Sequence, residues 1–423
     1  MNKMRKKQIV FIEGYSYVIT YKIAKLFKEK GYETILIRLL EQVESDKRFY
    51  NQAYDKVIEF KLSYHKVTYK NLLKIIISNI KNLKFLITSF VNILRLKPYV
   101  IIGRAPLSSP IAFFRIFFKK TPFVYFPYDI RSQAFPTLEI AKKTLPSFEI
   151  KADRFCFEHS DGIMHKGAPN ELKYLNGRML GNNIKLPKHQ IAFHPYCSKE
   201  FCVPTNKNKL SKEDGKLHLV YIGGAGKRSK EFYSIFLKQS KEVIEQKIHI
   251  HFYFSLSIPN KEEPNEQDLI RRFLEEYKDY PNIKYFHLEK SFNPKEIVKE
   301  ISKYDFGISL FTKHKEDGLE PGLGTGNKIS TYLEAGIPFF YGKWYTFTNN
   351  LRKKYGINLI LPKDIKDLRK IIKKLDYPKL EKNVLKMRED YSMEKQFPRL
   401  EKFIKDVVKT KKNIRQIYFY KIC

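Results

Sequence analysis

At 423 residues the chain is too long for one compact core and suits two domains of ordinary size. Apolar residues make up 43%, which excludes a disordered polypeptide. A formal charge of +35 favours anionic partners (nucleic acid, an anionic lipid surface or a phosphorylated substrate) without choosing among them, and the basic residues are spread along the chain, not gathered in a tail.

The basic start, Met1 to Lys7, leads into only four apolar residues, Ile9 to Ile12, before Glu13. This reads as a first strand and not a signal peptide, so a cytoplasmic protein is expected. Gly14 to Tyr17 turn the chain, Thr20 to Lys30 read as a helix stopped by Gly31, and Glu33 to Leu39 as a second strand. That strand–turn–helix–strand unit is of the doubly wound kind, although its turn lacks a full G-x-G-x-x-G. Val57 to Phe60 is a third strand. Tyr69 to Arg95 is a long helical stretch whose longest uncharged run, Phe85 to Leu94, is ten residues, too short to span a bilayer. It suits either a core-packing helix or an interfacial amphipathic one.

Pro98 ends that helix. The next strand, Tyr99 to Ile102, runs into Gly103-Arg104, and Pro110 to Phe118 is helical. Pro122 to Phe126 is a strand that leads to Asp129 and Arg131. Glu149 to Ser160 follow as a helix, then strands Gly162 to Met164 and Gln190 to Phe193. Ser198 to Lys216, polar and poor in apolar residues, is the expected domain boundary. Beyond it come strand Leu217 to Ile222, helix Lys230 to Ile244, strand Ile248 to Phe254, helix Asp268 to Tyr277 and strand Ile283 to Phe286. Helix Pro294 to Ser302 and strand Phe306 to Phe311 follow, and the alternation continues to about residue 362. A basic helix, Pro398 to Lys412, is expected to begin at its proline. The expected domains are 1–197, 216–390 and a C-terminal helix and tail over 391–423 that returns toward the first.

Cys156, Cys197, Cys202 and Cys423 are too few and too scattered for a disulfide framework. His194 with Cys197 and Cys202 makes a corner of unusual spacing with no second pair, so no structural zinc is expected there.

Two loops carry phosphate-binding chemistry. Gly223-Gly224-Ala225-Gly226-Lys227-Arg228-Ser229 follows a strand directly, and its backbone N–H groups and two cations can neutralise a diphosphate. The plainer reading is a tight turn with a solvated basic pair. Gly326-Asn327-Lys328 opens a short helix containing Thr331 that Gly336-Ile337-Pro338 ends. A helix N-terminus offers free N–H groups and a positive dipole end, and Lys328 adds a full charge. The acidic, glycine-rich stretch Glu316 to Gly324 offers carboxylates to sugar hydroxyls or serves as a solvent-exposed lid. No pair of aspartates of the D-x-D type stands in a strand-end loop, so no metal bridging a diphosphate is indicated. In the first half Tyr15, Arg104, Asp129 and Arg131 follow expected strand ends. Asp129 is the best carboxylate for gripping or deprotonating an acceptor hydroxyl, or it pairs with Arg131 or Arg104. His165 is a base, a hydrogen-bond donor or a structural residue.

Leu219 to Gly224 followed by Lys227 or Arg228, and Lys328-Ile329-Ser330-Thr331-Tyr332-Leu333-Glu334-Ala335-Gly336-Ile337-Pro338, resemble the two signatures of the second domain in GT-B glycosyltransferases. The similarity is greatest to the bacterial group that includes the retaining enzymes of glycosyltransferase family 4. The resemblance implies two Rossmann-like domains facing across a cleft, a nucleotide-sugar donor held by the second, and Lys227 or Arg228 in the diphosphate-binding place. Thr331 stands where that family commonly has a glutamate holding the ribose or sugar, and Glu334 comes three positions later. Retention of configuration therefore rests on the resemblance alone.

The function expected is transfer of a sugar from a nucleotide sugar to a hydroxyl of a saccharide or lipid-linked acceptor, with peripheral contact to anionic membrane, no nucleic acid and no cofactor. The donor would be held by Gly223, Gly224, Gly226, Lys227, Arg228, Glu316, Gly326, Asn327, Lys328 and Thr331, and the acceptor handled by Asp129 and His165. The alternatives are a nucleotide-sugar epimerase or hydrolase of the same fold, and a non-catalytic sugar- or nucleic-acid-binding protein.

Overall fold

The computed structural model describes residues 6–40, 44–62, 91–105, 108–128, 138–145, 147–167, 184–223, 230–253, 271, 274–290, 292–310, 326–342, 346–360 and 365–420. Among these, residues up to His194 together with those from Gln396 onward form one unit, and those from Pro195 to Lys395 form a second.

Short apolar runs such as Ile9-Val10-Phe11-Ile12 and Phe123-Val124-Tyr125-Phe126 lie buried along their whole length. That pattern suits parallel strands covered on both faces by crossover helices. In the first unit they make β1 (Gln8–Glu13), β2 (Glu33–Leu40), β3 (Lys56–Leu62), β4 (Pro98–Arg104), β5 (Phe123–Phe126), β6 (Gly162–His165) and β7 (His189–Ala192). The spatial order is β3-β2-β1-β4-β5-β6-β7, parallel throughout. Helix Val18–Glu29 buries Ile19, Ile23 and Phe27 at helical spacing, which is the face it turns inward.

The second unit repeats the plan with β8 (His218–Ile222), β9 (His249–Tyr253), β10 (Phe286–Leu288), β11 (Phe306–Ile308), β12 (Phe339–Tyr341) and β13 (Asn358–Ile360), in the order β10-β9-β8-β11-β12-β13. In each sheet the winding direction reverses beside the first strand, between β1 and β4 and between β8 and β11. Such a switch point opens a crevice at the carboxyl ends of the two strands, where ligands of doubly wound sheets bind.

Three local expectations are corrected. Ile283–Tyr285 is a 3-10 turn, and the strand begins at Phe286. His165 ends β6 instead of following it, paired with Ala192. The C-terminal helix starts five residues before Pro398, at Met393, and runs to Tyr420 through much of what reads as a tail. Ser392 Oγ accepts the Lys395 N–H at 3.3 Å near its start. The buried Met393, Phe397, Leu400, Ile404, Val407 and Val408 outweigh the one backbone hydrogen bond that Pro398 cannot make. Within the polar Ser198–Lys216 stretch Lys209 is buried, and its Nζ donates to the carbonyls of Ser302 at 2.8 Å and Tyr304 at 3.0 Å.

From Gln396 the helix packs on the first unit. Tyr32 donates to Glu401 at 3.0 Å, Lys411 donates to Asp161 at 2.8 Å, and Phe403 and Val407 lie over Gly162. No described helix is long and apolar enough to cross a membrane. Most of the helix expected over 69–95, and the start of the one expected at 268, lie outside the described residues.

Candidate functional site

In the second unit the switch point is organised by helix Asn327–Ala335. Its Tyr332 is fully buried, and the hydroxyl reaches the carbonyls of Val220 on β8 at 3.1 Å and of Ile308 on β11 at 3.0 Å. One side chain thus spans the two strands between which the winding reverses. Gly307 on β11 makes room for it, because a Cβ there would lie 2.6 Å from the Tyr332 ring. Gly336 ends the helix in the left-handed region, as a glycine C-cap does.

The N-terminus of this helix begins at Gly326, which has no side chain to cap it. Ser330 and Thr331 both return their hydroxyl protons to the Asn327 carbonyl, at 2.8 and 3.1 Å. The helix start carries no side-chain cap, and a helix N-terminus favours an anion. The Lys328 Nζ lies over the Tyr221 ring, 3.7 Å from its centroid. Gly223, the residue after β8, has φ +90°, and a Cβ there would sit 3.3 Å from the Lys328 side chain. A half-buried ammonium, a helix N-terminus and a left-handed glycine therefore meet at the carboxyl end of β8. That is an arrangement able to hold a phosphate. Tyr221, which the sequence reading passed over, positions the lysine by a cation–π contact; its signal was an aromatic residue one position from the strand end.

Glu334, three positions after Thr331, is buried in the fold. It is 1% exposed and its carboxylate accepts the Ser198 N–H at 2.7 Å, a bond within the fold. Gly224, Gly226, Lys227, Arg228 and Glu316 lie outside the described residues, as do Asp129 and Arg131.

In the first unit the switch point holds Glu13 at the end of β1 and Arg104 at the end of β4, 0% and 1% exposed. The Arg104 guanidinium lies 3.3 Å from the Tyr17 ring centroid and 4.5 Å from that of Tyr128, whose ring also carries the Lys166 ammonium at 4.2 Å. Thr20 donates to Glu13 at 2.7 Å and Tyr54 at 3.3 Å. Burial pushes the Glu13 carboxyl up to about 7, against the opposing pull of Arg104, Thr20 and Arg38. A carboxyl poised near neutrality at a strand end is a mark of functional sites. Its sequence signal was an acid closing the buried run Ile9 to Ile12. His165 is 4% exposed, and Tyr15 is half-buried against the core. His194, next to the chain's passage into the second unit, has its Nδ1 2.7 Å from the Lys166 carbonyl, and burial pushes its pKa down to about 4.

No protein-family model matches the chain, and no characterised protein matches it in sequence. Among solved structures it is similar, over 96% of its length and 100% of the other chain, to a sucrose-phosphate synthase from Thermosynechococcus elongatus, with TM-score 0.66 and 9% identity. It is likewise similar, over 95% and 100%, to HepE of Anabaena solved with UDP and glucose (TM-score 0.61, 9% identity). A glycosyltransferase from Rickettsia africae matches over 96% and 99% (TM-score 0.58, 10% identity). Likeness at so low an identity speaks to the fold. The chain has the GT-B architecture, two Rossmann-like parallel sheets each flanked by helices.

Proposed function

We propose that this protein is a glycosyltransferase that moves a sugar from a nucleotide-sugar donor to a hydroxyl of a saccharide or lipid-linked acceptor, in the assembly of cell-surface polysaccharide or glycan. The observation that carries this reading is the meeting of Lys328, the N-terminus of helix Asn327–Ala335 and Gly223 at the end of β8. The shared fold with HepE, solved with UDP and glucose, supports a nucleoside diphosphate as the anion.

In this reading the C–O bond from the anomeric carbon to the diphosphate breaks as the acceptor oxygen forms its own bond to that carbon. Lys328 and the first-turn amides take up the negative charge that grows on the leaving diphosphate, joined by Lys227 or Arg228. The hydroxyl proton leaves to an acceptor-side base or to the departing diphosphate, with Asp129 and His165 handling the acceptor. Gly326, Asn327 and Thr331 line the donor side with Gly224, Gly226 and Glu316. No metal is required for this step, and retention of configuration is the expected outcome by resemblance.

Purified protein incubated with a panel of nucleotide sugars and saccharide acceptors should release UDP, GDP or CMP in step with acceptor glycosylation. Release without an acceptor product would favour a hydrolase. Loss of turnover in EDTA that Mg²⁺ or Mn²⁺ restores would overturn the metal-free step. Asp129→Asn should depress turnover more than donor affinity.

A peripheral membrane contact belongs to the same proposal. Phe113, Ile116 and Phe117 are 53%, 60% and 41% exposed on one face of helix Ser108–Phe117, in a chain of charge +35. Aromatic and aliphatic side chains on one helix face, backed by cations, suit an anionic lipid surface. Equal recovery in the supernatant with anionic and neutral vesicles at low salt would remove it.

A further inference from the structure

Four histidines gather where strands β8, β9 and β10 begin, on one face of the second sheet. His218 opens β8 in register with His249, and His251 on β9 is in register with His287 on β10. Their period-2 placement on neighbouring parallel strands brings the rings together: His218 stacks on His249 at 4.4 Å and His251 on His287 at 4.2 Å between centroids. His218, His249 and His251 are 6%, 9% and 5% exposed.

The hydrogen-bond chain through this cluster has two ring nitrogens facing each other at its centre. The chain runs from Asp214 to His218 Nε2 (3.2 Å), from His218 Nδ1 to His251 Nε2 (3.1 Å), and from His251 Nδ1 to Glu289 (2.8 Å). A carboxylate only accepts, so each outer ring nitrogen must carry the hydrogen. A neutral imidazole carries only one. With one hydrogen on each ring, the two inner nitrogens, 3.1 Å apart, face each other with lone pairs. A cation between these two nitrogens would fill that gap.

We propose that this cluster binds a divalent first-row transition metal, zinc foremost, through His218 Nδ1, His251 Nε2 and a nitrogen of His249, with Asp214 and Glu289 orienting the outer ring nitrogens. One nitrogen from each of the three histidines lies within 4.8 Å of the others. The edge of a tetrahedron around zinc with histidine ligands is ~3.3 Å, close to the inner nitrogen separation. Metal-bound histidines donate their second N–H to carboxylates, and both outer nitrogens here meet one. His249 Nε2 is buried with no hydrogen-bond partner, 3.7 Å from an Asp214 oxygen, while its Nδ1 lies 2.8 Å from His287 Nε2. Imidazole-rich donor sets select zinc, copper, nickel or cobalt over magnesium and calcium. Asp214 and Glu289 are 37% and 30% exposed at their side chains, giving an ion a path in from solvent.

The site is separate from the donor chemistry. It occupies the beginnings of the strands, whereas Gly223 follows the end of β8, about 16 Å from His218 at ~3.3 Å per residue. An ion there ties β8 to β9 and holds β8, the strand that presents Gly223. The sequence reading expected no structural zinc at His194, Cys197 and Cys202, and did not single out the strand-start histidines. Among the described residues the metal-capable groups are His218, His249 and His251, and His251, His287 and Glu289.

The test uses the whole chain stripped with a chelator and then titrated with Zn²⁺ against a chromophoric competitor, with Co²⁺ as a spectroscopic probe. We expect one Zn²⁺ per chain, a visible Co²⁺ ligand-field band of tetrahedral intensity, and a raised Tm. His251→Gln should weaken Zn²⁺ binding at least 100-fold, and Glu289→Gln by 10- to 100-fold. His189→Gln, a histidine bonded to Thr410 in the first unit, should leave it unchanged. Circular dichroism of the metal-free variants checks their folding, and Glu289→Gln decides the matter if His251→Gln does not fold. Less than one Zn²⁺ per chain, or affinity indifferent to both variants, would overturn the proposal and assign the gap to a shared proton.

Discussion

The two switch points have the same topology and opposite construction. Beside β1 the charges are side chains sealed in the fold: Glu13 held by Thr20 and Tyr54, Arg104 laid against Tyr17 and Tyr128. Beside β8 the polar groups belong largely to the backbone: a left-handed glycine, a helix start without a side-chain cap, and a single lysine resting on an aromatic ring. A buried carboxyl alters stability with pH whether or not a ligand is present. A helix terminus with a half-buried ammonium gains most of its energy when an anion arrives. The first site should therefore show itself in folding measurements and the second in binding.

The largest expected effect is on the first. Glu13 ionises at about 7 in the fold against an ordinary 4.5, so the folded chain holds an extra proton between those values. Its contribution to stability is complete below about 4.5 and is lost as pH rises through about 7, by on the order of 3 kcal/mol. Glu13→Gln should remove this component. Denaturant unfolding of both proteins at pH 5 and pH 8 measures it, and parallel pH dependence would show that the carboxyl is not shifted.

Next comes Lys328→Ala, which should weaken nucleotide-sugar binding by about 1.5–3 kcal/mol, the contribution of a charge-assisted bond. Unchanged calorimetric affinity for the cognate donor would remove Lys328 from the site. Stability should change far less than in Glu13→Gln, and a reversal of that order would break the contrast between the two switch points.

Gly223→Ala places a methyl 3.3 Å from the Lys328 side chain at a φ of +90°. The left-handed conformation costs a non-glycine residue about 1–2 kcal/mol, and the displaced lysine should lower donor affinity as well. Loss of stability with intact affinity would mean that Lys328 need not sit beside Gly223.

The smallest effect should come from Tyr332→Phe. It deprives the Val220 and Ile308 carbonyls of their shared donor, at a cost of about 1 kcal/mol. A drop in donor affinity beyond that cost would show that the tyrosine aligns the helix terminus as well as anchoring it. Thermal unfolding and calorimetry on the same variant separate the two.

Several of these features were legible in the chain itself. Apolar runs of four to six residues, alternating with amphipathic segments, announce a parallel sheet because both strand faces must be buried. The Gly326-Asn327-Lys328 helix start is a local signal, as is Gly336 at its end. Other features were not. Pro398 reads locally as a helix start, and only the packing of Phe397, Leu400 and Ile404 shows that the helix begins before it. Glu13 looks like any acid after an apolar run, since desolvation is a property of everything around it.

Sequence alone determined the doubly wound plan of both halves, the overall basic charge and the glycine-marked helix that carries Lys328, because periodicity, composition and capping act over a few residues. Tertiary structure decided which distant groups share a place: Lys328 with Tyr221 and Gly223, Glu13 with Arg104, and His218 with His249 and His251. In each case the partners lie on different strands or helices. Their chemistry depends on burial and on separations of a few ångströms, which are fixed only when the strands take their order in the sheet.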